Sequence, residues 1–408
     1  MRDIEVATPL PNRYWRQWVA SAISNLGDGI NFVAMPLLAL SLTDDERLLS
    51  LTVFATFVPW LLLALPVGVV VDRVERKQLL IAANLIRVGL FLTIATLATA
   101  DRLGIWALVA LLVAVGSCEV LFDSTAQAWL PMLVEPEQLP RANGFLFAAE
   151  IVAGSVAGLA VGAVLFDVSI GLPFTTNAVS FMIAAAIILT IRPIRSAPTT
   201  EVSAFDGRLR SGFTWLVGHR FLKTLAAMFF VTNLGLMFGQ GIFVKYAVDE
   251  LGIDGIEFGL LLAITAMGAA SGGLFGPRVI GRLGLRASIV VPYVVFGVAQ
   301  VVIGIAEQVW MVAVAGFLLG AAITVWNVVT VTIRQRVIPA DRFGRVNAVY
   351  RWLGAAASAT GVAAGGFVAY STGLRMPFLV GGAITLLAAV VFARPVLDGL
   401  SDEPSLAG

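Results

Sequence analysis

The sequence predicts an all-α membrane protein with about twelve transmembrane helices arranged as two six-helix bundles. Three observations lead to this fold class: the composition, the alternation of long apolar runs with short polar breaks, and an internal repeat. Of 408 residues, 59% are hydrophobic and 13% are charged, whereas soluble domains carry about 25% charged residues. The length accommodates about twelve spans of roughly 20 residues each, together with their loops.

The apolar runs give the expected helices in chain order. A backbone inside lipid must satisfy its hydrogen bonds within its own segment, so each long run is expected to be helical. The expected spans are approximately 15–42, 49–71, 78–99, 104–133, 142–166, 172–192, 221–248, 256–280, 287–306, 309–335, 346–370 and 376–393.

The basic residues predict the orientation of these spans. Lysines and arginines concentrate in the termini and in every second break, starting with the break at 73–77. Only Arg47, Arg102, Lys245 and Arg375 fall on the other side. Because basic loops stay in the cytoplasm, both termini are expected to be cytoplasmic. An odd number of spans would remove this asymmetry, so the distribution also supports an even count.

Two related halves are expected on either side of the longest polar break. This break is interpreted as a cytoplasmic linker at 193–220, between an N-terminal bundle at 1–192 and a C-terminal bundle at 221–408 that ends in a short cytoplasmic tail. Membrane proteins can contain parallel repeats related by an axis along the membrane normal. The residues that recur at offsets close to half the chain length are Asn25 and Asn233, Arg73 and Arg282, Arg141 and Arg345, and Gly158 and Gly361.

The chain lacks the patterns of several other chemistries. Cys118 is the only cysteine and His219 is the only histidine, so the spacing that a structural or catalytic metal site needs is missing. The sequence also has no glycine-rich phosphate-binding loop, which disfavours ATP-driven chemistry by this chain alone. We therefore expect no cofactor and no metal site.

The turn after the second expected span has a characteristic spacing. It reads Gly68-x-x-x-Asp72-Arg73-x-x-Arg76-Lys77. This spacing resembles the loop between helices 2 and 3 of the major facilitator superfamily of transporters. A motif match of this kind is a hypothesis that needs the right structural context, and here the motif lies between two long apolar runs.

Two longer stretches narrow the resemblance to one branch of the superfamily. Residues 59–77 and 122–143 resemble the branch that includes macrolide efflux pumps and the enterobactin exporter. The likeness to this branch covers the first half of the chain, and the second half supports the superfamily.

The resemblance implies the major facilitator fold and a secondary active transporter rather than an enzyme. It implies proton-coupled efflux of a small amphiphilic molecule, of drug or siderophore type, by alternating access in the bacterial inner membrane. The expected partners are that molecule, protons and the lipid bilayer, with a monomeric chain and no nucleic acid. The cytoplasmic gate would comprise Gly68, Asp72, Arg73, Arg76 and Lys77. Two alternatives stay open: a facilitator or importer of a metabolite or lipid, and a sensor that has the fold but transports nothing.

Charged residues inside the expected spans are the main functional candidates. A charge in hydrocarbon costs several kcal/mol, so each is expected to face the bundle interior and to have a partner. The charged residues well inside the expected spans are candidates for proton coupling or substrate binding. They are Asp28, Arg87, Glu119, Asp123 and Glu150. A further charged residue, Arg351, lies at or just inside a helix end.

Depth along the spans divides these charges into two groups. At a rise of about 1.5 Å per residue, Arg87, Asp123 and Glu150 lie at similar depth. An ion pair between Arg87 and Asp123 or Glu150, with a purely structural role, is therefore one interpretation. Asp28 and Glu119 lie deeper, near the midplane where transporters bind their substrates. For Glu119, a structural role and a functional role both stay open.

Asp28 is the preferred candidate for proton coupling. It stands between Gly27 and Gly29, and no basic residue is nearby in the sequence. A carboxylate that is held away from water without a partner can load and release a proton. The alternative is that Asp28 hydrogen-bonds to an Asn or Ser across the bundle and only helps the helices to pack.

Two further groups of residues are expected at helix contacts and in the cavity. Gly154, Gly158 and Gly162 recur every four residues and form a stripe for close helix packing. They also resemble a fifth-helix motif of proton-driven exporters, from which Leu159 and Ala163 depart. Aromatic and amide residues on the helices that line the cavity in this superfamily are candidates for an amphiphilic pocket, and packing or lipid contact is the alternative for each. These candidates are Asn31, Phe32, Phe57, Trp60, Gln127, Asn233, Gln240 and Trp326.

Overall fold

The computed structural model of the protein describes residues 9–63, 66–192 and 205–401. Within these ranges the chain is almost wholly helical and contains no strand. The fifth span joins two α-helices through a π-helical segment, Glu150–Gly158. The α-helices of the first bundle are α1 (Asn12–Leu42), α2 (Glu46–Leu63), α3 (Pro66–Arg73), α4 (Arg76–Thr99), α5 (Ile105–Leu133), α6 (Leu139–Ala149), α7 (Leu159–Val168) and α8 (Leu172–Leu189).

The second bundle follows the predicted linker. Residues 193–204 of that linker lie outside the described residues, and its remainder contains a helix, α9 (Phe205–Gly218), that the sequence did not predict. In the seventh span a 3-10 turn (Gln240–Ile242) and a π-helical segment (Tyr246–Glu250) accompany the α-helices. The remaining α-helices are α10 (Arg220–Met237), α11 (Phe243–Lys245), α12 (Gly255–Ile305), α13 (Val309–Val337), α14 (Ala340–Thr372) and α15 (Met376–Ser401).

The number of spans agrees with the prediction once α12 is divided. Eleven helices within the described ranges are long and apolar enough to cross a membrane. One of them, α12, has 51 residues, and a straight helix of that length would measure more than twice the roughly 30 Å of a hydrocarbon core. The helix is interrupted at Gly284, where φ is 76°, a conformation that glycine adopts without a steric penalty. α12 therefore contains two spans, and the predicted all-α membrane fold of about twelve spans is confirmed.

The two bundles join at one end of the molecule, which we call the closed end (residues 43–50, 240–250 and 366–370). One apolar core there draws on both bundles, with Val33 and Leu159 from the first and Ile242, Tyr246 and Phe258 from the second. These side chains are nearly inaccessible to solvent. Burial of this many large apolar side chains stabilises the contact between the bundles by several kcal/mol.

Polar contacts at the closed end add to this apolar seal. The buried Lys245 Nζ lies 3.3 Å from Glu46 Oε1 of the other bundle and donates a 2.5 Å hydrogen bond to the Asp44 carbonyl. The guanidinium carbon of Arg47 lies 3.7 Å from the centroid of the Tyr370 ring, a cation–π contact that also crosses between the bundles.

At the opposite end, which we call the open end (residues 72–77, 134–141 and 338–345), each bundle keeps its own core. One apolar cluster combines Tyr14, Leu133 and Ile188, all of the first bundle. Another combines residues such as Phe221 and Ile338, all of the second bundle. The bundles are therefore sealed together at the closed end and packed separately at the open end.

Candidate functional site

Three acidic side chains and one arginine of the first bundle form an acid cluster (Asp28, Arg87, Glu119 and Asp123). Glu119 and Asp123 lie one helical turn apart on the same face of α5. Asp28 is within electrostatic range of Arg87 and Asp123, and Glu119 is within range of Asp28 and Arg87. The fold thus brings together charges that are up to 95 positions apart in the sequence.

Arg87 is the positive centre of the acid cluster, and its contacts differ from the expected ion pair. Its side chain is buried, and its guanidinium carbon lies 4.4 Å from the centroid of the Phe122 ring and 4.3 Å from that of Phe181. Among the described residues, no carboxylate is close enough to form an ion pair with it. The predicted pairing with Asp123 or Glu150 is therefore wrong for this structure. Two aromatic faces surround the cation instead, an arrangement that stabilises a desolvated guanidinium.

Asp28 is an acid without a direct partner. The glycines beside it lie against other helices, with Gly27 facing Asn177 and Ser180 of α8 and Gly29 facing Gly154 of the fifth span. Within the described part of the chain, the Asp28 carboxylate makes no hydrogen bond and no ion pair, so the predicted bond to an Asn or Ser across the bundle is absent. Asp28 and Glu119 remain solvent-accessible although they lie near the middle of their spans.

Glu150 lies beside the acid cluster at the start of the π-helical segment. Its charge acts on Asp123, as does that of Arg351 in the second bundle. Short π-helical segments inside longer helices occur often at functional sites. No sequence pattern indicated this segment, since π-helix and α-helix share the same apolar composition.

The glycine stripe of the fifth span lies against α1. A Cβ atom added at Gly158 would be 2.7 Å from Gly29 Cα and 2.8 Å from the Leu26 carbonyl oxygen. Gly154 and Gly162 meet the same helix, at Asn25 and Ile30. Small residues at such a contact let two helix backbones approach closely, and here this approach places Asp28 beside the fifth span.

The five predicted gate residues lie at the open end, within their own bundle. Arg76 donates to the Met132 sulfur at 3.0 Å, and Lys77 Nζ donates to the Leu189 and Ile191 carbonyls at 2.9 and 2.7 Å. Asp72, Arg73 and Gly68 are exposed. The described residues offer Asp72 no hydrogen bond or ion pair, so its carboxylate is free to form one.

The predicted cavity residues are divided among several places. Phe32 and Gln127 are exposed, Phe57 is half-buried, and the Asn31 Oδ1 atom is buried without a partner. Gln240 is exposed at the closed end. The Asn233 amide donates 2.9 Å hydrogen bonds to the Gly354 carbonyl and the Ser358 hydroxyl, and these bonds tie α10 to α14.

Trp60 contacts Arg351 of the second bundle, and Trp326 lines the same cavity as that arginine. The Arg351 guanidinium carbon is 5.1 Å from the centroid of the Trp60 ring. Trp326 stacks on Phe229 with 5.3 Å between ring centroids and an interplanar angle of 11°. Arg351 and Trp326 both line a cavity of about 150 Å³ inside the second bundle.

Sequence reasoning missed most of this second-bundle cavity. Its walls come from α10, α13 and α14, so the residues are far apart in the sequence and share no local pattern. Arg334 lies at the end of the expected span 309–335, so nothing in the sequence distinguishes it from the basic residues of the following break. A separate and larger space of about 780 Å³ is a groove between α1 and α8, lined by Trp15, Arg16 and Ile183 among others, and it does not reach the acid cluster.

The fold and the charges within it define a multi-pass membrane protein of the transporter class. A family model described as transmembrane secretion effector, MFS_3, matches residues 5–405. The chain therefore belongs to this family of the major facilitator superfamily, and the resemblance inferred from the sequence is confirmed.

Two relatives are efflux proteins by name. Macrolide efflux protein A of Streptococcus pyogenes is 22% identical over 392 residues, which cover 93% of this chain and 95% of that protein. The multidrug efflux pump Tap of Mycolicibacterium fortuitum is 26% identical over 393 residues, which cover 91% of this chain and 93% of that protein. The chain is thus similar over nearly its whole length to transporters that export drugs.

Solved structures match the fold. A bacterial homologue of the iron transporter ferroportin in its inward-facing state gives a TM-score of 0.74 at 19% identity and covers 95% of this chain and 100% of its own. The outward-facing state of such a homologue gives a TM-score of 0.63 at 20% identity and covers 94% of this chain and 99% of its own. Both matches show that the fold is shared.

Proposed function

We propose that this protein is a proton-coupled exporter of a small amphiphilic molecule that works by alternating access. The acid cluster around Arg87 is the observation that carries the proposal. Three carboxylates gathered around one buried cation, within the membrane-spanning part of the fold, cannot all be ionised without cost. A proton bound among them therefore changes the electrostatics of the site at the depth where transporters bind substrates.

The orientation follows from the distribution of basic residues. With the open end on the cytoplasmic side, both termini are cytoplasmic. The relatives come from bacteria, which supports the bacterial inner membrane as the location. In this proposal the structure corresponds to an inward-facing state, in which the substrate would reach the site from the cytoplasm. The names of the relatives support export as the direction of transport.

In the proposed cycle, the two bundles act as units divided at the linker 193–220. Closure at the cytoplasmic side would bring Asp72 and Arg73 to groups of the second bundle, and the unpartnered Asp72 carboxylate would gain a partner. The Lys245 and Arg47 contacts at the closed end would break at the same time. Rocking of this kind needs no other chain, and we propose a monomer as the working unit.

Transport by the purified full-length protein in liposomes tests the proposal. A panel that begins with a radiolabelled macrolide and includes amphiphilic acids and bases is offered under an imposed pH gradient, with a pH-sensitive dye trapped inside. A proton-coupled exporter accumulates its substrate only with the gradient and moves protons the opposite way. A facilitator equilibrates the substrate without accumulating it or moving protons, and a sensor moves nothing, so either result would overturn the proposal.

A further inference from the structure

The cavity inside the second bundle has the composition of a binding site for an aromatic acid. Its lining combines three aromatic residues with two arginines and two asparagines, and no carboxylate is among the described residues that line it. The lining residues that matter for binding are Phe229, Trp326, Tyr350, Arg334, Asn347 and Arg351.

The two arginines of this cavity have spare donor capacity. Arg334 donates to the Asn347 side-chain oxygen at 3.0 Å and to the Thr330 carbonyl at 3.3 Å, and it lies over the Tyr350 ring at 4.6 Å. Arg351 contacts the Trp60 ring and forms no hydrogen bond or ion pair with any residue that the structure describes. A guanidinium has five N–H donors, so both cations can still bind an anion.

The aromatic residues give one side of the cavity a flat apolar surface. Phe229 and Trp326 are stacked, and Tyr350 lies 6.1 Å from Phe229 between ring centroids. An apolar space of about 150 Å³ holds one benzene ring, which matches the volume found here. A larger ligand would place one ring in this cavity and extend past the exposed Arg351 toward Trp60 of the first bundle.

The position of the cavity suits a molecule arriving from the open end. Arg334 lies within one turn of the end of α13, and Trp326 lies about three turns before that end, so the walls extend from roughly 5 to 17 Å below it. Arg351 also acts electrostatically on Asp123 of the acid cluster. The cavity is thus linked through one side chain to the site of proposed proton binding.

We propose that this cavity binds an aryl group carrying a carboxylate or another anionic group, with Arg334 and Arg351 holding the anion and the Phe229 and Trp326 pair holding the ring. Guanidinium groups bind carboxylates through paired charge-assisted hydrogen bonds. The inference rests on the proposed function only in treating this ligand as the exported molecule or part of it.

Equilibrium binding to the purified full-length protein in detergent tests the proposal. The probes are biphenyl-4-carboxylate and its neutral match, biphenyl-4-carboxamide, measured by calorimetry. Hydrogen bonds to charged groups contribute enough for the acid to bind about 10- to 100-fold more tightly than the amide. Substitutions R334Q and R351Q should each remove most of this preference, whereas R282Q, at an exposed arginine outside the cavity, should leave it unchanged.

Equal binding of acid and amide to the unaltered protein would overturn the inference, and this comparison needs no variant to fold. Full acid preference in both R334Q and R351Q would overturn it too, because the anion would then bind elsewhere. Because these measurements use no pH gradient, they are independent of the proposed function. Proton-coupled export without acid preference would refute only the cavity assignment, and acid preference without proton coupling would refute only the export mechanism.

Discussion

The guanidinium of Arg351 lies over the ring of Trp60, with 5.1 Å between the guanidinium carbon and the ring centroid. One residue belongs to the second bundle and the other to the first, and both lie well away from the closed end along their helices. The contact therefore connects the bundles near the centre of the molecule, between the acid cluster and the second-bundle cavity.

Replacing Trp60 by Leu should destabilise the observed arrangement, because a cation–π contact contributes about 0.5–2 kcal/mol. A double-mutant cycle of W60L with R351Q, measured by unfolding in detergent mixtures, should give a coupling energy of about 1 kcal/mol. The control is Trp106→Leu, at an exposed residue, which should show no coupling to R351Q. Additive effects of W60L and R351Q would show that the contact contributes nothing.

Replacing Lys245 by Gln should open the closed end. Lys245 lies 3.3 Å from Glu46 and 3.8 Å from Asp249, and loss of a buried cation leaves its acidic partners uncompensated. In a C118S background, a cysteine introduced at the buried Ser50 reports on this end with an impermeant thiol reagent. If the substitution lowers the free energy of opening the closed end by about 1–2 kcal/mol, labelling of the cysteine at position 50 should be about 5- to 30-fold faster than in the parent.

Lys223→Gln is the matched control for that measurement, since Lys223 is on α10 near the other end of the same span. It should leave the Ser50→Cys labelling rate unchanged. An equal rate of Ser50→Cys labelling in K245Q and in the parent protein would mean that the apolar core alone seals the closed end.

The ion pair between Arg47 and Asp45, at the tip of the closed end, should be insensitive to pH in the physiological range. The hydrogen bond from Arg47 lowers the pKa of Asp45 to about 2. A lowered pKa means that the pair stabilises the folded protein above about pH 4 and loses this effect only as the pH falls toward 2. The effect of Asp45→Asn on Ser50→Cys labelling should therefore be the same at pH 5.5 and pH 8. A difference between these two pH values would contradict the assignment.

A side chain at Gly158 should separate α1 from the fifth span. Its Cβ would lie 2.7 Å from Gly29 Cα, so Gly158→Ala forces the backbones apart and should cost about 1–3 kcal/mol in the free energy of unfolding. Gly89→Ala is the matched control, because a Cβ there meets no atom within 4 Å. That change should stabilise α4 by up to about 1 kcal/mol, since alanine favours helix. Equal effects of the two changes would show that the stripe is not a tight contact.

Much of the fold could be predicted because lipid imposes simple rules. The lengths of the apolar runs predicted the membrane spans. The interruption of α12 at Gly284 falls in the break that was predicted between residues 280 and 287. Helix α9 was missed because a polar amphipathic segment in a linker has no apolar run to mark it. The π-helical segment was missed because π-helix and α-helix share the same apolar composition.

The site was predictable only in part, for a physical reason. Charges inside apolar spans are costly enough to be conspicuous in the sequence, so Asp28, Glu119 and Asp123 could be selected before their proximity was known. The contacts of the charged residues could not be predicted, because the guanidinium of Arg87 lies against the rings of Phe122 and Phe181 and not against a carboxylate. Which helix faces meet is decided by packing between distant segments, and the second-bundle cavity depends wholly on such packing.

The role of Asp28 in proton coupling is tested most directly by comparing two transport modes of Asp28→Asn in liposomes. One mode is substrate exchange without a pH gradient, and the other is substrate accumulation driven by a gradient. We expect D28N to keep exchange within about twofold of the unaltered protein while losing at least about tenfold in gradient-driven accumulation, with Asp101→Asn, at an exposed loop acid, unchanged in both. Gradient-driven accumulation by D28N at the rate of the unaltered protein would contradict the proposed mechanism.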